Sequence, residues 1–257
     1  MKSTCSKSRK IARRLAIETL ENRNLMAGNV LVQHVSGEAH VTGDNLGNGI
    51  RIQEISSNTY RVTGLNHAGA ATTVNGKAFH DIVTRDDDLR VNMGRGNDYV
   101  LIGNNTGTMT VEDLTIDLGD GADYLGLLNL EVYDRFDAAK INAGQESNFD
   151  GADNIEMRNV TFRASVDIVM GAGADEVEMR NVFIRKELSI NTGSGNDEVE
   201  LVGVTADKFF LSLGSGNDTL ELEKVKASRM VADGGLGKNR LEIRTGNQLG
   251  SRSFTRF

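Results

Sequence analysis

A short turn, Gly-x-Gly-x-Asp, returns along the chain at nearly constant spacing, and this recurrence constrains the fold more than any other feature. Copies run from Gly94 to Asp98, Gly119 to Asp123, Gly171 to Asp175, Gly193 to Asp197 and Gly214 to Asp218. A last copy, Gly234-Gly235-Leu236-Gly237-Lys238-Asn239, carries Asn in the acidic place. One expanded copy starts at Gly144 and rejoins the pattern at Gly151-Ala152-Asp153. Measured at the acidic position, the steps are 25, 30, 22, 22, 21 and 21 residues. A period of this size marks a stack of supersecondary units, none of which buries its apolar face alone.

The flanks of the turn identify the unit. Two residues after the acidic position stand Val100, Leu125, Ile155, Val177, Val199, Leu220 and Leu241, and four after it Ile102, Leu127, Met157, Met179, Leu201, Leu222 and Ile243. This is the period-2 alternation of a half-buried strand. Pairs such as Leu89/Val91, Leu114/Ile116, Val166/Ile168 and Leu188/Ile190 predict a second strand before the turn. Six residues after the acidic position come Asn104, Asn129, Asn159, Asn181, Gly203 and Lys224, mostly the residue types that accept a positive φ at a corner. Apolar pairs beyond the corner, Val160/Phe162 to Val225/Ala227, predict a short third side. Paired glycines and a spacing of two oppose helix. The expected fold is all-β, a parallel β-helix or β-solenoid with coils of about 21–25 residues. Residues 39–52 read as a degenerate first coil, and a weaker coil near Tyr60, Val62 and Val74 fills the gap before residue 89. Eight to nine coils at ~4.8 Å give a rod of roughly 40 Å.

The organisation expected is a basic leader (1–27), degenerate coils and a cap (28–88), regular coils (89–245) and a C-terminal tail or cap (246–257). The leader carries seven Lys/Arg against Glu18 and Glu21, so the net charge of −7 divides into +5 for the leader and −12 for the rest. An acidic body repels nucleic acid and anionic lipid. No stretch approaches the roughly 18 consecutive apolar residues of a membrane span, and Cys5 has no second cysteine to pair with. The four His lack zinc-ligand spacing. The leader also lacks the apolar core of a standard secretory signal and reads as a short helix or disordered segment.

Within it, Thr19-Leu20-Glu21-Asn22-Arg23-Asn24-Leu25-Met26 resembles the LEPR-XLL motif found at the start of repetitive surface or exported proteins of planctomycetes and other bacteria. It departs by Asn22 for Pro and Met26 for the final Leu. The resemblance implies export, to the extracellular space or the cell surface.

The turns, in turn, resemble the RTX nonapeptide, Gly-Gly-x-Gly-x-Asp-x-apolar-x, whose parallel β-rolls bind Ca²⁺ through turn carbonyls and the Asp carboxylate. That resemblance implies Asp98, Asp123, Asp153, Asp175, Asp197 and Asp218 as Ca²⁺ ligands, an oxygen donor set that suits a hard cation. Met93, Leu118, Met170, Thr192 and Leu213 replace the first glycine of the motif, which survives only as Gly234. An Asp after a glycine turn also pins the bend by accepting backbone hydrogen bonds, as Asn97, Asn196 and Asn217 can, so both roles stand. Glu156, Glu178, Glu200, Glu221 and Glu242 form an outward column, partly neutralised by Arg158, Arg180 and Arg244. Like charges in such a column repel, which favours bound cations.

An exported structural or adhesive Ca²⁺-binding solenoid is the function expected, with cell-envelope or extracellular components as partners. A β-helix polysaccharide lyase or hydrolase, or a metal-free structural solenoid, is the alternative. The acids form regular columns where a catalytic pair would be singular, and Trp is absent. Asp86-Asp87-Asp88 reads as a solvated loop, and residues 144–153 are the one break in regularity.

Overall fold

Alternating apolar residues on both sides of each glycine turn give two strands per coil, and successive coils stack these into two sheets, which further strands outside the turns bring to eleven strands each. The computed structural model describes residues 28–67, 69–133, 139–144 and 151–257. The leader, with its motif and Cys5, and residues 145–150 of the expanded loop lie outside the described residues. The architecture is all-β, and its parallel strands form a β-solenoid.

Strands before the turn run from Glu38–Thr42 and Leu89–Asn92 up to Lys226–Asp233 and Gln248–Thr255, each parallel to the last. Strands after the turn run from Gly49–Ser56 and Tyr99–Gly103 to Arg240–Ile243, joined by seven parallel pairings. At ~4.8 Å per step the stack rises about 34 Å. Register places like on like, for example Val177 between Ile155 and Val199, and Met179 between Met157 and Leu201. The interior these columns fill runs from Val30 to Ala232.

Corners follow from residue type. Asn129, Asn159, Asn181, Gly203 and Lys224 all have φ between 49° and 67°. In the coil of Tyr99–Gly103 the positive φ falls on Gly103 and not on the expected Asn104. Beyond the corner, Val160, Phe162, Val182, Ile184, Val204 and Val225 bury the short third side.

One expectation is overturned. Strand Glu38–Thr42 pairs directly with Leu89–Asn92, so no coil lies between residues 39–52 and residue 89. Tyr60 and Val62 sit on strand Thr59–Gly64, which pairs antiparallel with Gly49–Ser56 on one side and with Phe79–Val83 on the other. The segment folds back as a hairpin layer over the end of the stack, because alternation is the same whether a strand pairs parallel or antiparallel. Its anchor is Tyr60, 1% exposed, whose hydroxyl donates to the Thr110 carbonyl at 2.7 Å.

Candidate functional site

The aspartates of the turns form one unbroken column inside the solenoid wall. Asp98, Asp123, Asp153, Asp175, Asp197 and Asp218 are each 1–3% exposed. The Oδ1 of each accepts the backbone N–H of the equivalent residue one coil earlier. The sequence of bonds is Asn48 to Asp98 (2.6 Å), Asp98 to Asp123 (2.7 Å), Asp123 to Asp153 (2.7 Å) and Asp153 to Asp175 (2.9 Å). It continues from Asp175 to Asp197 (3.0 Å), Asp197 to Asp218 (3.0 Å) and Asp218 to Asn239 (2.9 Å). An amide side chain therefore stands at each end of the column. The second strap runs the other way: Asn97, Asn196 and Asn217 accept the backbone N–H of Ala122, Asn217 and Lys238 in the following coil.

The glycines let the turns touch. A Cβ on Gly195 would lie 1.3 Å from the Gly173 carbonyl oxygen, and one on Gly216 would meet the Gly195 carbonyl in the same way. Both glycines have φ of 151°, in the region closed to other residues. The turn carbonyls are engaged between coils as well, Gly173 N–H donating to Ser194 O and Ser215 N–H to Gly193 O. At the position of the first RTX glycine, Met93, Leu118, Met170, Thr192 and Leu213 are buried core residues.

The carboxyls point into the wall with one oxygen hydrogen-bonded to backbone, and among the described residues no three His, Cys, Asp or Glu side chains gather to hold a metal ion. Burial pushes the Asp98 carboxyl up to about 8, with repulsion from Asp123 and Asp44 adding to it. Burial raises Asp218 also.

The glutamate column faces solvent and is stitched by arginine. Glu156, Glu178, Glu200, Glu221 and Glu242 are direct cross-strand neighbours. Arg158 bonds Glu156 and Glu178 (3.1 Å), and Arg180 bonds Glu178 and Glu200 (2.7 Å). Arg244 reaches Glu221 and Glu242. The Tyr124 hydroxyl donates to Glu156 at 2.6 Å, and with Arg158 it holds that carboxyl below its usual range. The repulsion that favoured bound cations in the sequence is met by these partners.

Two features were missed in the sequence. Tyr99 stacks on Tyr124 at 4.7 Å between ring centroids, with His67 on its other side at 5.6 Å. The 25-residue step between the two tyrosines carried that signal. Nor is Asp88 simply solvated: it accepts the Asp113 N–H at 3.2 Å, and burial with the Asp113 charge pushes it up to about 6.

Residues 12–30 match a family model described as Planctomycete extracellular, and that stretch contains the Thr19–Met26 motif. Comparison with curated proteins found no match, and comparison with solved structures found none. The chain is a β-solenoid that carries a planctomycete-type extracellular motif at its N-terminus.

Proposed function

We propose that the chain is an exported, non-catalytic structural module of the cell exterior, a rigid rod whose coils are locked together without calcium. The continuous side-chain column from Asn48 to Asn239 carries this reading. A buried N–H left without its acceptor costs about 1–3 kcal/mol, so each Asp ties its coil to the one before. The extracellular motif supports export. The arginine-stitched glutamates support architecture over catalysis, since each of the five in that column is held by a neighbour where a general acid or base would need to meet a substrate.

Melting the purified chain in Ca²⁺ and in EDTA, with and without Asp197→Asn, tests the reading. Equal melting temperatures in both media, with the Asn variant within a few degrees of the parent, are expected, because the amide keeps the acceptor oxygen. A large Ca²⁺-dependent rise that vanishes in the Asn variant would identify the column as metal-binding and overturn the proposal.

A further inference from the structure

Charge pairing is uneven over this molecule. On the glutamate face the arginines are engaged, as described above. At the return corner, where the third side passes back into the sheet before the turn, Arg185, Lys186, Lys208, Lys226 and Arg229 form no ion pair with any described carboxylate. Three consecutive coils supply them. Lys208 stands between Glu187 and Arg229 in the sheet register, and the Lys208 N–H donates to the Lys186 carbonyl at 3.1 Å. Phe183, Thr205, Lys226 and Gln248 form the adjoining column. Of the acids nearby, Asp207 is held by the Ser228 hydroxyl at 2.5 Å.

Two of these cations, Arg185 and Lys226, line a shallow groove of about 410 Å³ together with Phe183, Thr205, Asp207 and Gln248. Phe183 is 43% exposed there. The lining therefore offers two cations, one carboxylate already held by the Ser228 hydroxyl, neutral hydroxyl and amide groups, and one flat apolar ring. At the same corner Lys208 and Arg229 are register partners in adjacent coils, ~4.8 Å apart along the axis, a spacing suited to a polymer with one charge per sugar unit. Duplex nucleic acid carries a charge every ~1.7 Å and would meet a protein of net charge −7. A single small anion would need only one of the cations.

We propose that this groove binds an acidic polysaccharide, a glycan bearing carboxylate or sulfate groups laid along the solenoid axis. The cations pair with its charges, Thr205 and Gln248 bond its hydroxyls, and Phe183 covers the apolar side of a sugar ring. This inference goes beyond the structural reading and holds whether or not that reading does.

Affinity electrophoresis of the full chain through gels containing polygalacturonate, dextran sulfate or unsubstituted dextran tests it, with calorimetry for affinities. Retardation by one or both charged polymers, lost in high salt, is expected, and which polymer acts tells carboxylate from sulfate recognition. Arg185→Glu and Lys226→Glu should each weaken binding roughly tenfold, and Phe183→Ala a few-fold, with melting temperatures unchanged. Lys77→Glu, an equal charge change in the N-terminal layer, should leave binding intact. Equal retardation by unsubstituted dextran, an equal loss in Lys77→Glu, or tighter binding of a single-stranded oligonucleotide would overturn the proposal.

Discussion

Two columns of carboxyl groups climb this solenoid in the same register, one inside the wall and one outside. The aspartates are buried, and each accepts a backbone N–H from the coil before. The glutamates face solvent and are held by Arg158, Arg180 and Arg244. At coil spacing and an effective dielectric near 20, two adjacent charges repel by about 3 kcal/mol. Outside, guanidinium groups offset that repulsion; inside, burial pushes the Asp98 carboxyl up to about 8, toward its uncharged form. One chemical group thus serves two purposes, set only by the face of the strand on which it falls.

Substitutions can break the inner column hardest. Asp197→Ala removes the acceptor for the Asp175 N–H and leaves a void, and should cost about 2–4 kcal/mol in denaturant melts. The measurement is the urea midpoint of the variant against the parent. A change under about 0.5 kcal/mol would show that the column is ornamental.

Next in size is a pH effect of opposite sign for the two columns. Asp98 has a folded-state pKa of about 8, above its ordinary value near 4. Its contribution to stability is fully present below that ordinary value and is lost as pH rises from about 4 to about 8. Glu156 is held below its ordinary value by Tyr124 and Arg158, so its contribution is present above that value and is lost as pH falls through the folded pKa. Melting temperature should peak between these arms, in mildly acidic solution, and Asp98→Asn should flatten the alkaline arm alone. A profile rising steadily to pH 9 would contradict the raised pKa of the inner carboxyl.

The smallest effect belongs to the outer face. Arg180→Gln removes two part-buried surface ion pairs, to Glu178 and Glu200, and should cost about 0.5–1 kcal/mol at low salt and less at high salt. If its cost matched that of Asp197→Ala, the division between inner and outer columns would fail.

Much of this was legible in the sequence. The acidic position shares parity with the apolar residues two and four places on, as in Asp175, Val177 and Met179, and parity alone puts it inside. Glu178, three places on, takes the other face by the same rule. The direction in which the Asp side chain bonds was hidden, because it depends on a neighbour 21–30 residues away. The N-terminal layer was hidden too, since Tyr60 and Val62 alternate as a coil strand would while pairing antiparallel. The basic corner draws Lys186, Lys208 and Arg229 from steps of 22 and 21 residues, and nothing local marks them as a group.

The amides that end the aspartate column have a consequence for how such a chain can change length. Asn48 and Asn239 are end-pieces, and between them every Asp makes the same bond to the coil before and the coil after. Excision of residues 176–197, one 22-residue step, would join Asp175 to Glu198 and bring Asp218 against the Asp175 N–H with each row still in phase. Gene-level loss or duplication of a single coil would therefore yield a shorter or longer rod of the same cross-section, its copy number free to drift while its ends stay fixed.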